Sequence, residues 1–237
     1  PRSSSAASDV YKRQTLSLLS IMKENECNFL IFSSSASVYK INGTSLLRET
    51  DKLEPSSPYG RTKLCIEQVL RDLFQSDKRW KIANLRYFNP VGSHCSGLLG
   101  ENSKGKSSNL FPAILKTIRG EQKKFLVYGN DWPTLDGTCI RDFIHVMDLA
   151  EAHVATLEYL KNEVPQNISI NIGTGKGTTI LEVIKTFQAI KGISFEYEFV
   201  ERRLGDQCIL VADNKLALEL LKWSPQRNLF DMCNDSI

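Results

Sequence analysis

The chain has 237 residues, 41% of them hydrophobic and 24% charged, which is ordinary usage for one or two globular domains and excludes a disordered or collagen-like chain. Lys and Arg total 30 against 27 Asp and Glu, a net charge of +3, too even a balance to imply a nucleic-acid face. No apolar run is long enough to span a bilayer and no apolar segment opens the chain, so the expectation is a cytoplasmic protein with neither membrane nor nucleic acid as partner.

The first segment, residues 1–14 (PRSSSAASDVYKRQ), is Ser-rich and lacks periodicity. It reads as a disordered tail or the translation of a cloning sequence, and periodicity begins at Thr15. A helix is predicted from Thr15 to Met22. Asn28–Phe32 is a short continuous apolar run, as a strand buried on both faces requires, and it ends in Ser33-Ser34-Ser35. The next helix opens with Ser57 as N-cap and Pro58 at its first position. Ile66, Val69, Leu70, Leu73 and Phe74 then follow helical spacing. Lys81–Phe88 is a further strand. Helix and strand alternate, which implies parallel pairing through crossover helices. Residues 89–109 hold four glycines and five serines with little periodicity, a loop of functional length, and mark a domain transition. Beyond it helices are predicted near 111–119, 146–161, 178–190 and 214–222, and strands near 125–128, 168–172 and 194–200.

The six cysteines, Cys27, Cys65, Cys95, Cys139, Cys208 and Cys233, lie at least 25 residues apart without a CxxC pair. They read as free, mostly buried thiols of a reducing compartment rather than zinc or disulfide partners. His145 and His153 could share a helix but lack a third ligand, so no metal site is expected.

Gly173-Thr174-Gly175-Lys176-Gly177-Thr178 follows a strand and precedes a helix, yet fits neither GxGxxG nor GxxxxGK[ST]. It reads as a tight turn. Tyr59-Gly60-Arg61-Thr62-Lys63 is a stronger signal. Tyr59 and Lys63 share one helix face. A phenol ionises near about 10, and a neighbouring ammonium favours the phenolate, giving a base able to take a proton from a sugar hydroxyl. Ser33, Ser34 and Ser35 stand at the carboxyl end of a buried strand, where open α/β sheets bind ligands. The strand ending in Asn89-Pro90 points to the same place.

Phe32-Ser33-Ser34-Ser35-Ala36-Ser37-Val38-Tyr39, Ser57-Pro58-Tyr59-Gly60-Arg61-Thr62-Lys63 and Leu85-Arg86-Tyr87-Phe88-Asn89-Pro90-Val91-Gly92 resemble the extended short-chain dehydrogenase/reductase enzymes. With Tyr128-Gly129-Asn130-Asp131, Asp136–Val146, Asn171–Gly175 and Arg202–Asp206 the series is similar to the UDP-glucose 4-epimerase family, from about Thr15 onward. The resemblance implies an α/β fold: a partial NAD-binding Rossmann domain, a doubly wound parallel sheet lacking its first strands, over residues 15–88. A smaller α/β domain over 89–237 would bind a UDP-sugar, with segments near 140–175 returning to the first domain.

The family's chemistry is NAD-dependent oxidation at C4, rotation of the 4-keto sugar and re-reduction, interconverting UDP-glucose and UDP-galactose. Tyr59 would be the base. Lys63 would hold the NAD ribose, and Ser35 would bind the 4-hydroxyl. Ser33, Ser34, Tyr87 and Phe88 would touch the cofactor. Asn89 would bind the diphosphate, and Asn109, Leu110, Tyr128, Arg141, Arg203 and Asp206 would hold the UDP moiety, the arginines through planar forks suited to phosphate. Leu210 stands where the family limits bulk at the sugar's C2; its middle size leaves N-acetylated sugars open, and a preference for unacetylated UDP-hexoses is the expectation. A homodimer through helices of the first domain is also implied.

The family opens with a Gly-rich strand-turn-helix for the pyrophosphate, and nothing before Thr15 matches it. The expectation is therefore an N-terminally incomplete chain, unstable or inactive by itself. Two alternatives remain. A sugar-nucleotide 4,6-dehydratase would want acids after Ser35, where Ala36 and Ser37 stand. A non-catalytic module retaining the fold would have no use for Ser35, Tyr59 and Lys63.

Overall fold

A computed structural model describes residues 4–40, 46–101, 109–190, 192–203 and 205–237. In chain order its elements are α1 (Ser4–Glu24), β1 (Phe29–Ser35), a 3-10 turn (Ala36–Val38), α2 (Pro58–Ser76), β2 (Lys81–Tyr87), β3 (Asn89–Val91), α3 (Leu110–Ile118), β4 (Phe125–Tyr128), β5 (Ile140–Arg141), β6 (Phe143–His145), α4 (Val146–Asn162), β7 (Gln166–Ile172), β8 (Thr178–Thr179), α5 (Ile180–Ala189), β9 (Tyr197–Val200), β10 (Ile209–Leu210), α6 (Lys215–Leu221) and α7 (Leu229–Asn234).

The main sheet has the order β1-β2-β7 and is parallel throughout. Ser35 pairs with Tyr87, and Tyr87 with Ile172, so three strand ends open on one line. Side chains alternate between the two faces of a strand. Ile82 packs with Phe32, Ile66, Leu70, Trp80 and Leu19 beneath α1 and α2. Ala83 and Leu85 pack with Leu149, Ala152, Leu160, Ala217 and Leu221 beneath α4 and α6. The sheet is thus the middle of three layers. The outer edge of β1 carries no strand among the described residues.

Several buried polar residues of the inner layer form one network. Arg86 and Glu67, each 2% exposed, form a bidentate pair at 3.0 and 2.7 Å between β2 and α2. Arg86 also donates to the Tyr39 hydroxyl at 2.9 Å, and Tyr39 donates to Asn171 at 2.6 Å. Burial works against the Arg86 charge, but Glu67 and Tyr39 more than offset it and raise its pKa.

A second core gathers Phe111 and Ile114 of α3, Phe125 and Val127 of β4, Val183, Ile184 and Phe187 of α5, and Met232 of α7. Here β4 pairs with β9, β5 lies between β10 and β8, and β3 pairs with β6. The chain crosses back into the main sheet at β7 and again packs on it through α6.

Three expectations change. Of the expected tail, residues 1–3 lie outside the described residues, but 4–14 belong to α1. The helix is drawn onto α2, where the Tyr11 ring lies 4.4 Å from Lys63 Nζ, so tertiary contact overrides the weak local pattern. The stretch 89–109 is not all loop, because Asn89–Val91 pairs with Phe143–His145. The cysteines are free but mostly not buried. Only Cys139 and Cys233 are, whereas Cys27 in a turn, Cys65 on the outer face of α2 and Cys95 in a loop are exposed. Among the described residues no helix is long and apolar enough to cross a membrane.

Candidate functional site

The start of α2 sets the geometry. Ser57 accepts from the Gly60 amide at 3.0 Å, with Pro58 in the first turn, a side-chain cap on an otherwise orphaned donor. Gly60 lies so close to the 3-10 turn that a Cβ there would stand 2.3 Å from the Ser37 carbonyl oxygen. Glycine thus lets the helix start dock directly on the end of β1, with Tyr59 lining the same cleft as Ser35 and Lys63 reaching the Ser33 carbonyl behind it.

Lys63 is buried although charged, at 6% exposure. Its ammonium donates to the Ser33 carbonyl at 2.7 Å and to the Tyr11 hydroxyl at 2.7 Å. It lies 5.5 Å from the Tyr59 ring centroid. The Tyr59 side chain is exposed at 58% and lines the same cleft as Ser35. Ser35 Oγ accepts from the Ser37 amide at 3.2 Å and its hydroxyl at 2.9 Å. Both bonds are accepted, so the Ser35 proton is left to donate.

That cleft holds about 690 Å³ and runs from the main sheet to the second core. Ser35, Tyr59, Phe88 and Asn89 line one end, and Asn109, Leu110, Tyr128, Arg141, Arg203 and Asp206 line the rest. Arg203 stacks on Tyr128 at 3.7 Å. Arg141 donates to the Ile140 carbonyl at 2.9 Å. The Asn89 side-chain oxygen is buried without a partner among the described residues.

Five predicted residues lie outside this lining. Lys63 is directly behind Tyr59. Ser33 and Tyr87 share a hydrogen bond of 2.8 Å beside the cleft. Ser34 is 1% exposed and donates to Glu67 under α2. Its hydroxyl therefore points away from any ligand at the strand ends, because successive strand residues face opposite sides. Leu210 packs beside the cluster of Val38, Tyr39, Leu47 and Phe88.

The Gly173–Gly175 turn is filled from within. Asp142, fully buried, accepts from Thr174 N at 2.8 Å, Thr174 Oγ1 at 2.6 Å, Gly175 N at 3.0 Å and Ala212 N at 3.1 Å. A Cβ on Gly173 would meet its carboxylate at 2.6 Å. Burial raises the Asp142 pKa, although these donors pull the other way. The turn already holds a carboxyl group, the chain's own, and is not a phosphate site. Asp142 was not singled out in the sequence, because its partners Thr174, Gly175 and Ala212 lie 32 to 70 residues away.

The groups at the ends of β1 and β2 suit the nicotinamide-ribose half of a dinucleotide. The Lys63 ammonium already binds one hydroxyl, that of Tyr11, in the manner a ribose hydroxyl requires, with the Ser33 and Tyr87 hydroxyls alongside.

A parallel α/β sheet with Ser, Tyr and Lys converging at its carboxyl end defines a short-chain dehydrogenase/reductase type of site. Residues 1–173 match the NAD dependent epimerase/dehydratase family, and the chain belongs to it. It is 43% identical over 222 residues to a UDP-glucose 4-epimerase of Bacillus subtilis (strain 168), covering 94% of this chain and 65% of that protein. It is 42% identical over 222 residues to one of Dictyostelium discoideum, covering 94% of this chain and 64% of that protein. The chain thus spans just under two thirds of these relatives. Among solved structures, a Stenotrophomonas maltophila UDP-glucose-4-epimerase with bound NAD and formylated UDP-arabinopyranose superimposes with a TM-score of 0.91 at 43% identity, over 94% of this chain and 66% of that one. A Bifidobacterium longum UDP-glucose 4-epimerase in complex with NAD+ and UDP gives a TM-score of 0.88 at 43% identity, with the same coverage.

Proposed function

We propose that the chain is part of an NAD-dependent UDP-hexose 4-epimerase, interconverting UDP-glucose and UDP-galactose. The observation that carries this reading is the meeting of Ser35 and Tyr59, backed by Lys63, at one end of a cleft whose other end holds Arg141 and Arg203. A hexose at the first end and a diphosphate with its base at the other would fill it. NAD, when bound, supplies the oxidant and reductant for the sugar carbon.

Tyr59 takes the proton from the 4-hydroxyl and returns it, and Lys63 favours that transfer by placing a fixed positive charge beside the phenol. Ser35 donates to the same sugar oxygen and fixes its distance from Tyr59. Asn89 meets the diphosphate through its amide NH2, because its oxygen can only accept. Arg141, Arg203 and Asp206 bind the nucleotide, with Tyr128 and Arg203 forming a stacked wall. Holding the nucleotide at the far end lets the sugar present either face to the same pair of groups. Ser33, Tyr87, Phe88 and Lys63 hold the nicotinamide ribose side. Asn109 and Leu110 close the base end; unacetylated hexoses are the preferred substrates, although Leu210 packs beside Phe88 and outside the cleft lining. A cytoplasmic location and a homodimer through α1 and α2 complete the reading.

The test is UDP-galactose turnover in the full-length protein. Tyr59→Phe should lower kcat by at least about 10²-fold, the usual worth of a positioned acid-base group, with UDP binding unchanged. Wild-type turnover in that variant would refute the assignment. A 4,6-dehydratase would instead release water and a 4-keto-6-deoxy product.

A further inference from the structure

His153 lies on α4, which covers the face of the sheet that carries Ser33 and Tyr87. Its Nδ1 is 2.8 Å from the Leu149 carbonyl oxygen, one helical turn back. A carbonyl can only accept, so Nδ1 carries a proton. Its Nε2 is 2.5 Å from the Tyr87 hydroxyl, which is 2.8 Å from Ser33 Oγ. The Tyr87 phenol has one proton and two neighbours. Burial pushes its pKa up to about 12, so the proton is present at neutral pH. With a neutral imidazole, Nε2 is a bare lone pair, and the phenol gives its proton there. Either hydroxyl of the Ser33–Tyr87 pair can donate, and with the phenol's proton on Nε2 it is Ser33 that donates to the phenol oxygen.

We propose that His153 is a positioning residue that sets the direction of a hydrogen-bond chain, Ser33 to Tyr87 to His153 to the Leu149 carbonyl, so that Ser33 and Tyr87 have only lone pairs left for a ligand. The ligand group seated against them is therefore a hydrogen-bond donor, as in the NH2 of a carboxamide. This second half rests on reading the corner as the nicotinamide site. Ser33 is exposed, so its lone pairs are open to a ligand at the strand end. The ring of His153 lies 5.5 Å from that of Tyr87 at 57°, which fixes the phenol in orientation as well as by its bond. Nothing in the sequence near His153 signals this, because Tyr87 is 66 residues away.

The direction is read by NMR of the histidine-labelled chain near neutral pH, where long-range nitrogen-proton correlations report which ring nitrogen carries hydrogen. There are three histidines, and His153→Ala identifies the relevant signal. His145 is an internal control, since its Nδ1 accepts from the Met147 amide at 3.0 Å and its proton must lie on Nε2. His153 should show the opposite tautomer. A proton on Nε2 of His153, alone or with one on Nδ1, would overturn the proposal.

The ligand half is read by binding to the full-length protein. NAD is compared with its 3-acetylpyridine analogue, which lacks the amide NH2. The analogue should bind about tenfold more weakly, the worth of one hydrogen bond. That ratio should shrink toward one in His153→Ala and be partly kept in His153→Gln, whose amide oxygen still accepts. Equal binding of both dinucleotides to the unsubstituted protein would overturn the ligand half. If neither binds while His153 shows the expected tautomer, the nicotinamide reading and the ligand half fall together, and the directed chain stands.

Discussion

The Arg86–Glu67 pair fixes how α2, and with it Tyr59 and Lys63, sits on the sheet. Glu67→Gln keeps the volume but removes the charge and turns an NH2 group toward a guanidinium that can only donate. Both partners are 2% exposed, so solvent cannot replace the lost contacts at 3.0 and 2.7 Å. Removing one member of a buried pair costs about 3–5 kcal/mol, and the remaining Arg86 bonds to Tyr39 and the Glu49 carbonyl at 2.9 and 3.1 Å place the expectation near the lower value. With a urea dependence of about 2 kcal/mol per molar, the unfolding midpoint should fall by about 1.5 M. Fluorescence during urea unfolding measures it, since Trp80 is fully buried in the same layer. Glu67→Met combined with Arg86→Met should cost less than the sum of the single changes, because no lone charge remains. A loss below about 1 kcal/mol for Glu67→Gln, the value of an exposed pair, would refute the claim that this pair anchors α2.

Gly60→Ala should lower turnover of the full-length protein more than it lowers Tm, because the new methyl meets the Ser37 carbonyl and moves Tyr59; kinetics beside thermal melts separate the two. Asp142→Asn should cost about 2 kcal/mol or more, since its amide opposes the Gly175 and Ala212 donors, read as a fall in the denaturation midpoint. Burial pushes Tyr39 and Tyr87 up to about 12, whereas an unfolded phenol ionises near about 10. Above that pH the unfolded chain loses protons that the folded chain keeps, so stability is full below about pH 10 and declines as pH rises through 12. Of the seven tyrosines, near-ultraviolet titration should lose one late-ionising phenol in each of Tyr39→Phe and Tyr87→Phe.

The long elements were legible because their patterns are local. β1, β2, α2 and α4 follow from runs and spacings within one segment. The strands β5, β8 and β10 were not, since each has two residues and exists only through a distant partner. Tyr59, Lys63 and Ser35 stood out by type and place. Strand alternation already put Ser33 and Ser35 on one face and Ser34 on the other, and applying it would have removed Ser34 from the ligand side. Glu67 with Arg86, Asp142 with Thr174, and His153 with Tyr87 were hidden for one reason. Each is a buried polar pair whose members come from different elements, and no periodicity records it.

Among the described residues the outer flank of β1 carries no strand, and its composition says what it can pair with. Phe29-Leu30-Ile31-Phe32 carries no charge and no proline, and its amides and carbonyls on that side form a template for any extended chain that approaches. A further extended segment laid along this rim would continue the ladder, and a proline or lysine placed there would hinder it.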